Sequence, residues 1–343
     1  MSPSDIVSKV PQCFAKALES GDLLFFPSTI HKHEDSEVEF ELRLCPALQN
    51  KPHLPTPHFE GNPAADAGLA VQGDKGKAFD PFAPPHNPNL HVGDLRDDYN
   101  DEEYVVLLNK YAVVPQHFLL VTKEFKSQAS PLMPSELLQS YLIIDAARKA
   151  GKPVFAFYNC GDNSGASQPH KHIQFIPLDS EDGPPIERVA RTVNVETPTK
   201  PFALRKLPYA NHAFRLPPHL YTFPIEKLED ALSHAFLSLL DLGVSTIRHD
   251  PEYPPGKPSY NVIITLEHMY LIPRRQENHI LEETGDKLSV NALGFAGMLL
   301  VKSEREMEAV KKETPGKILR GVGLESVEDI LIAGTSQEDA SLA

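Results

Sequence analysis

The segment Gly165–Pro177, which reads GASQPHKHIQFIP, places side chains that can do chemistry at every second position. If the segment is a β-strand, His170, His172 and Gln174 project from one face, and the alternate apolar residues project from the other. The spacing alone leaves three interpretations open: a half-buried structural strand, two ligands of a metal site, or a catalytic strand. A metal site would need further ligands, and neither a cysteine pair nor an H-E-x-x-H motif supplies them.

The turn before this strand favours chemistry at phosphorus. Ser164-Gly165-Ala166-Ser167 can direct backbone N–H groups at an anion, and its two serine hydroxyls are further donors. A neutral imidazole is a competent nucleophile near neutral pH. The arrangement therefore suits attack by His172 on a phosphate, while a second polar group on the same face holds a non-bridging oxygen.

Composition narrows the class of protein. The chain has 343 residues, of which 41% are hydrophobic and 23% charged, which is enough for one large domain or two ordinary ones. A net charge of −14 argues against a non-specific nucleic-acid binder, although a local basic pocket can still bind a small anion.

Cys13, Cys45 and Cys160 form no C-x-x-C pair, which is typical of a reducing compartment. With no signal-peptide pattern and no apolar run of membrane length, the sequence predicts a soluble enzyme of the cytoplasm, and also of the nucleus, without a membrane or protein partner.

Hydrophobic periodicity and turn residues predict the elements around the motif. One helix is expected around Ile6–Leu18, a second begins at a Ser135 cap and ends at Gly151, and a third is stopped by Gly243. The expected strands are Val38–Leu44, Tyr104–Leu108, Phe118–Thr122, Val154–Tyr158, Asn261–Leu266 and Met269–Pro273, and helical signals recur at 302–313. Eight prolines between Pro52 and Pro88 predict a long irregular loop at about 52–92.

The motif region resembles a known family. NSGASQPHKHIQ, at Asn163–Gln174, closely resembles the signature of the fungal diadenosine tetraphosphate phosphorylases, also called ATP adenylyltransferases. They belong to the branch of the histidine-triad superfamily that includes galactose-1-phosphate uridylyltransferase, which carries H-x-H-x-Q where the hydrolases carry a third histidine. Nearly the whole chain takes part in the resemblance, through DPFAPP at Asp80–Pro85, the pair Lys51-Pro52, and the segments Leu107–Gln128, Ser259–Arg275 and Val290–Lys302.

The resemblance implies a fold and a division of the chain. The expected fold is α+β and HIT-like, with antiparallel sheets, flanking helices and two related halves. The first half would span 1–200 and carry the H-x-H-x-Q strand. The second would span 201–343, with a disordered tail at about 333–343.

The resemblance also implies a reaction. His172 would attack the α-phosphate of Ap4A, ATP would leave, and inorganic phosphate would then convert the covalent AMP–histidine to ADP. Gln174 would orient the phosphoryl group through its amide. An amide cannot accept or donate a proton in catalysis as a third histidine could. This favours phosphate over water as the acceptor. His170 would hold the ring of His172 or contact the backbone. The reaction could run backward, and sulfate could replace phosphate in a weak ADP-sulfurylase activity.

The binding residues are implied in the same way. Phosphate contacts are expected from the turn and from two lysines, and nucleotide contacts from the segment after Leu108. The set is Lys51, Asn109, Lys110, Asn163, Ser164, Gly165, Ala166, Ser167, Gln168 and Lys302. Arg274-Arg275 could also grip a phosphate, but a solvated pair at a rim is the more typical arrangement.

No bound cofactor is expected. The cysteine pair that holds a structural metal in some uridylyltransferases is missing here, so no protein-bound metal is predicted. Mg²⁺ or Mn²⁺ is expected only with the polyphosphate substrate. The substrates would be Ap4A, phosphate, ADP and ATP. The alternatives are a hexose-1-phosphate uridylyltransferase-like enzyme, a non-catalytic dinucleoside polyphosphate sensor and a metal-dependent hydrolase.

Overall fold

The structure is a computed structural model that describes residues 1–50 and 80–326. Its helices are α1 (Pro3–Glu19), α2 (Pro134–Lys149), α3 (Pro185–Arg191), α4 (Ile225–His249), α5 (Ala292–Phe295), α6 (Glu304–Glu313) and α7 (Pro315–Val322). Its strands are β1 (Leu24–Phe25), β2 (Thr29–Asp35), β3 (Val38–Leu44), β4 (His91–Asp97), β5 (Glu102–Leu108), β6 (Tyr111–Ala112), β7 (Phe118–Thr122), β8 (Val154–Cys160), β9 (His172–Pro177), β10 (His212–Arg215), β11 (Tyr260–Ile264), β12 (His268–Pro273), β13 (Asn278–Ile280), β14 (Lys287–Ser289) and β15 (Met298–Val301).

An eight-stranded sheet forms the centre of the molecule. Its strand order is β10-β12-β11-β8-β9-β7-β5-β4, and every neighbouring pair is antiparallel. The α+β class with antiparallel sheets and flanking helices is thus confirmed, although two small sheets add the parallel pairs β1/β6 and β15/β3. Strands from 1–200 and from 201–343 join in this one sheet, with β8 hydrogen-bonded to β11.

One face of the sheet is covered by α1, α2 and α4, whose buried apolar residues belong to the same large core as Ile173 and Phe175 of β9. A capping box between Ser2 and Asp5 starts α1, and its apolar side then faces the core. The apolar side of β9 therefore lies in the main core, as the alternation predicts.

Among the described residues, the two halves of the other face are covered differently. Over β8, β11 and β12, the small sheet β15-β3-β2 and the short helices α3, α5 and α7 form a second core that includes Phe157. Over β5 and β7, a separate cluster contains Leu119, with the half-buried Phe82 packed against it. Gln174 pairs with Phe157 on one side and Leu119 on the other. The polar side of β9 therefore lies at the border between a thick core and a thin one.

Two expected helix boundaries are wrong. α2 is capped by Met133, whose N–H donates to Glu136, whereas Ser135 lies inside the helix and donates to Asp97 at 2.5 Å. Gly243 does not stop α4, which continues to His249. A Cβ at Gly243 would lie 2.3 Å from Leu271 Cδ2, so the glycine allows close packing of the helix on β12.

Among the described residues, eleven elements were not expected from the sequence: β1, β2, β4, β6, β10, β13, β14, β15, α3, α5 and α7. β4 begins at His91, so the loop expected at 52–92 ends earlier. The exposed charges of this edge strand obscure its apolar alternation. The expectations for Lys51, for the course of 53–78 and for the tail at 333–343 lie outside the described residues. In residues 1–50 and 80–326, none of the helices has the length and apolar character of a membrane span.

Candidate active site

His172 opens β9 and is held from three sides. Its ring Nδ1 lies 2.8 Å from the carbonyl oxygen of His170. Its backbone N–H donates to Gln128 Oε1 at 2.8 Å, and its carbonyl accepts from Gln128 Nε2 at 3.2 Å. The ring of Phe82 packs edge-on against the imidazole, with centroids 5.1 Å apart. The ring therefore has one fixed position in the site.

These contacts define the state of the imidazole. A carbonyl oxygen can only accept, so Nδ1 of His172 carries the proton and Nε2 keeps its lone pair. The side chain is 2% exposed, and burial lowers its pKa to about 4 from the ordinary 6.5. His172 is therefore neutral at pH 7, with a nucleophilic nitrogen available.

His170 supports the site through two different groups. Its carbonyl holds the ring of His172, whereas its own ring contacts Asp80 Oδ2 at 2.8 Å and the carbonyl oxygen of Thr122 at 2.8 Å. The two imidazoles are not hydrogen-bonded to each other. His170 thus joins the start of β9 to β7 and to the segment that presents Phe82.

Gln174 belongs to a chain of polar side chains. Asn109 Nδ2 lies 3.2 Å from His117 Nδ1, and His117 Nε2 lies 3.1 Å from Gln174 Oε1. An amide N–H donates to Nδ1, so Nε2–H of His117 donates to the oxygen of Gln174. Because the two heteroatoms of a carboxamide point in different directions, the NH₂ group of Gln174 is turned away from His117 and remains available as a donor.

The turn at Gly161–Gln168 presents a row of backbone donors. Gly165 has a φ of +80°, and the N–H groups of Gly165, Ala166, Ser167 and Gln168 have no acceptor within residues 1–50 and 80–326. Successive free N–H groups in a turn with left-handed backbone form a concave site for an anion. Hereafter we call these four groups the N–H row.

The side chains of the turn differ in their availability. Ser164 is fully buried, and its hydroxyl donates to Gly161 at 2.6 Å, so the expected hydroxyl donor is committed to the turn. Ser167 is exposed, and Asn163 and Gln168 are half-buried. The N–H of Asn163 donates to Ser259 Oγ at 3.1 Å, which ties the turn to the strand β11 that follows.

The remaining predicted binding residues lie on separate elements. Asn109 and Lys110 follow β5; Asn109 Oδ1 accepts from the N–H of Tyr111, and Lys110 is exposed. Lys302 follows β15 and is half-buried, and its carbonyl accepts from Gln49 at 2.9 Å. Its N–H donates to Glu306. Lys51 lies outside the described residues.

The interpretation of Arg274 and Arg275 as a solvated pair holds for one of them only. Arg275 is partly exposed and pairs with Asp250 and Glu252. Arg274 is 0% exposed and lies beneath the Gly161–Gln168 turn, where it donates to the carbonyl of Ser164.

One group of side chains has the spacing of metal ligands among the described residues: Glu187, Glu267 and His268. Their atoms are already engaged, since His268 and Tyr270 contact the Glu187 carboxylate and Arg191 pairs with Glu267. The arrangement is that of a buried structural network.

Comparison with known proteins places the chain in a family. Residues 1–192 match the family model of the Ap4A phosphorylase N-terminal domain, and residues 205–325 match the ATP adenylyltransferase C-terminal domain. The chain belongs to the Ap4A phosphorylase family. The resemblance seen in the sequence is thereby confirmed.

Several relatives of the chain are yeast proteins. The chain is 29% identical over 325 residues to diadenosine 5′,5‴-P1,P4-tetraphosphate phosphorylase 2 of Saccharomyces cerevisiae, covering 91% of this chain and 92% of the relative. It is 26% identical to the Saccharomyces cerevisiae protein APA1, covering 91% of each. The crystal structure of the yeast Ap4A phosphorylase Apa2 with AMP superposes with a TM-score of 0.75 at 27% identity, covering 95% of this chain and 98% of that one. The Apa2 complex with Ap4A gives a TM-score of 0.74 at 25% identity, covering 95% and 99%.

The roles of three residues that shape the site were not predicted from the sequence, although Arg274 was named there as one of a pair that could bind phosphate. Gln128, His117 and Arg274 act through contacts with residues 44, 57 and 110 positions away. Gln128 and His117 lie within the segment that resembles the family, but the sequence does not show which residues they contact. The available signals in the sequence are a histidine directly before the apolar run of β7 and a glutamine shortly after it.

Proposed function

We propose that this protein cleaves Ap4A with inorganic phosphate to ADP and ATP through a covalent AMP–His172 intermediate. The observation that carries this proposal is the neutral imidazole of His172, with a free Nε2, on the strand that follows the N–H row. Membership of the Ap4A phosphorylase family supports the choice of substrate. The Apa2 structures with AMP and Ap4A support it further.

In the first step, the lone pair of His172 Nε2 attacks the α-phosphorus of Ap4A. An N–P bond forms, the P–O bond to the rest of the tetraphosphate breaks, and ATP leaves with the electron pair. The proton stays on Nδ1, where the His170 carbonyl stabilises the positive charge that develops on the ring. No proton needs to be removed from the nucleophile, because burial keeps it neutral.

In the second step, an oxygen of inorganic phosphate attacks the same phosphorus from the side that ATP has left. The N–P bond breaks, its electron pair returns to Nε2, and ADP is released. The N–H row and the NH₂ group of Gln174 hold the non-bridging oxygens in both steps. Lys302, Lys51 and Lys110 neutralise phosphate charge, and Asn109 and Asn163 contact the nucleotide or its phosphates.

Gln174 favours phosphate over water as the acceptor. An attacking water must lose a proton, which a carboxamide cannot accept. Phosphate is already an anion at neutral pH, so it needs no general base. Sulfate has a similar shape and charge, which supports a weak ADP-sulfurylase activity, and the two steps can also run backward from ATP and ADP.

A divalent cation, Mg²⁺ or Mn²⁺, would arrive with the polyphosphate and neutralise part of its charge. Asp80 contacts the site, but His170 and the N–H of Phe82 already engage its carboxylate. The protein's own contribution is therefore made by amides, imidazoles and lysines. We also infer action in the cytoplasm or nucleus, since the three cysteines are free and two of them are buried.

Product analysis with and without inorganic phosphate tests the proposal. Wild type, His172→Ala and the control His249→Ala are incubated with Ap4A, and the nucleotides are separated. His249 is an exposed histidine at the end of α4, a helix on the opposite face of the sheet. We expect ADP and ATP from wild type and control only when phosphate is present, and none from His172→Ala.

Other product patterns would contradict the proposal in different ways. AMP and ATP formed without phosphate would make water the acceptor and the interpretation of Gln174 wrong. Turnover of a UDP-hexose in preference to Ap4A would indicate a uridylyltransferase. Tight binding of Ap4A without turnover would indicate a sensor.

A further inference from the structure

Arg274 is a buried cation beneath the turn that carries the N–H row. It follows β12 directly, and its guanidinium donates to Ser164 O at 3.1 Å and to Asn261 Oδ1 at 2.6 Å. It also donates to the carbonyls of Gln276 and Val290, both at 2.8 Å. The guanidinium thus joins the turn, 110 residues away in the sequence, to β11 and to two segments that follow β12.

The charge of this guanidinium has no carboxylate partner among the described residues. Its bonded acceptors are carbonyl and amide oxygens, and the ring of Phe295 lies 4.9 Å from its central carbon. The negative charge of Glu277 favours the charged form of the guanidinium. Burial lowers the pKa of Arg274 to about 9, so the group is still charged at pH 7. A buried charge without a carboxylate partner is costly unless hydrogen bonds replace its lost hydration, and here oxygen acceptors do so.

The bond to Ser164 sets the direction of the N–H row. In a trans peptide the C=O and the following N–H point in opposite directions. Arg274 and Asn261 Nδ2, at 2.9 Å, both hold the Ser164 carbonyl on the buried side. The N–H of Gly165, the first group of the row, therefore points away from the buried side.

The same guanidinium fixes the surface against which the turn packs. A Cβ at Gly165 would lie 2.7 Å from the carbonyl oxygen of Val290, and this is the oxygen that accepts from Arg274. Arg274 therefore holds both sides of this close contact: the turn, through the Ser164 carbonyl, and the carbonyl of Val290. Loss of the guanidinium would free the turn and its support together.

We propose that Arg274 is a positioning residue for substrate phosphate, which aligns the N–H row and adds a buried positive charge behind it. The polarised Ser164–Gly165 peptide transmits this charge, because its negative end faces the guanidinium and its N–H faces the ligand. This inference rests on the proposed function, since it takes the N–H row to be a phosphate site. In this role Arg274 contributes to phosphate recognition without contacting the substrate.

Binding of AMP and of adenosine by the full-length protein tests the inference. Adenosine shares the base and ribose of AMP but has no phosphate. Arg274→Met removes the charge and keeps much of the volume, and Arg274→Lys keeps the charge but loses most of the bonds. Arg275→Met is the matched control, because it removes the same charge from the neighbouring residue. Arg275 is partly exposed and pairs with Asp250 and Glu252.

We expect Arg274→Met to raise the Kd for AMP about tenfold or more, the effect of one charge acting over several ångströms of protein, and to leave the Kd for adenosine within about twofold. Arg274→Lys should restore part of the AMP affinity, and Arg275→Met should bind both ligands as wild type does. Parallel weakening of AMP and adenosine, or unchanged AMP binding in Arg274→Met, would overturn the inference.

A second variant covers the case in which Arg274→Met does not fold. Asn261→Asp places a carboxylate against the guanidinium with almost no change of shape, and it also removes the Nδ2 donor that holds the Ser164 carbonyl, so both effects disturb the N–H row. We expect this variant to weaken the binding of AMP and not that of adenosine. Unchanged AMP binding would again contradict the inference. The two proposals fail separately: wild type that neither binds AMP nor turns over Ap4A refutes the function. Normal wild-type turnover with unaffected Arg274 and Asn261 variants refutes only the role of Arg274.

Discussion

The rate of adenylyl transfer to His172 should be nearly independent of pH from 7.5 down to 5.5. Burial lowers the pKa of this histidine to about 4 from 6.5. At pH 5.5 a group with a pKa of about 4 is about 97% neutral, whereas an ordinary histidine is about 9% neutral. An unperturbed nucleophile would therefore lose about tenfold in rate over this range, and the buried one almost nothing.

A single-turnover measurement isolates this step. Excess enzyme is mixed with Ap4A in the absence of phosphate, and ATP release is followed by rapid quench. Ap4A has no terminal phosphate, so it lacks the ionisation near pH 6 of a phosphomonoester, and inorganic phosphate does not enter. Circular dichroism at each pH checks that the protein stays folded. A tenfold fall in rate with an apparent pKa near 6.5 would refute the account of His172.

Three further predictions concern other groups. His117→Phe removes the donor that orients the amide of Gln174, so we expect kcat to fall about tenfold or more in steady-state assays, and an unchanged kcat would dismiss that contact. Lys171→Met leaves Glu136 buried without its partner at 2.6 Å, so urea unfolding should show a loss of about 3–5 kcal/mol, and a loss below 1 kcal/mol would contradict a buried ion pair. Burial lowers the pKa of His212 from 6.5 to about 4, so the unfolded chain binds a proton below pH 6.5 that the folded chain refuses. His212 should therefore lower the free energy of unfolding by up to about 3 kcal/mol as the pH falls from 6.5 to 4. In urea unfolding at these pH values, a His212→Gln variant should lose correspondingly less stability in acid.

Local patterns predicted β9 well and its surroundings less well. The alternation of His172 and Gln174 with Ile173 and Phe175 follows from the two-residue period of a strand, which any core-facing strand must obey. The same rule cannot predict which elements cover the polar side of β9. The border between the thick and thin cores arises from β3 and β15, which are far from β9 in the sequence.

The errors have the same physical origin. Ser135 is a good N-cap residue and Gly243 a good helix terminator by local preference, yet contacts with Asp97 and Leu271 decide their roles. Arg274 resembles a surface arginine next to Arg275, and only the folded chain brings it beneath a turn that is 110 residues away. Residues that support a site through long-range contacts leave no periodic signal in the sequence.

The central claim is a covalent bond between AMP and His172, and intact-mass spectrometry tests it most directly. The protein is mixed with Ap4A without phosphate, quenched under conditions that preserve phosphoramidates, and digested to locate any adduct. We predict one AMP per chain on His172, release of one ATP, and loss of the adduct as ADP when phosphate is added. ADP and ATP formed in a phosphate-dependent reaction without any adduct, or an adduct on another residue, would contradict the account.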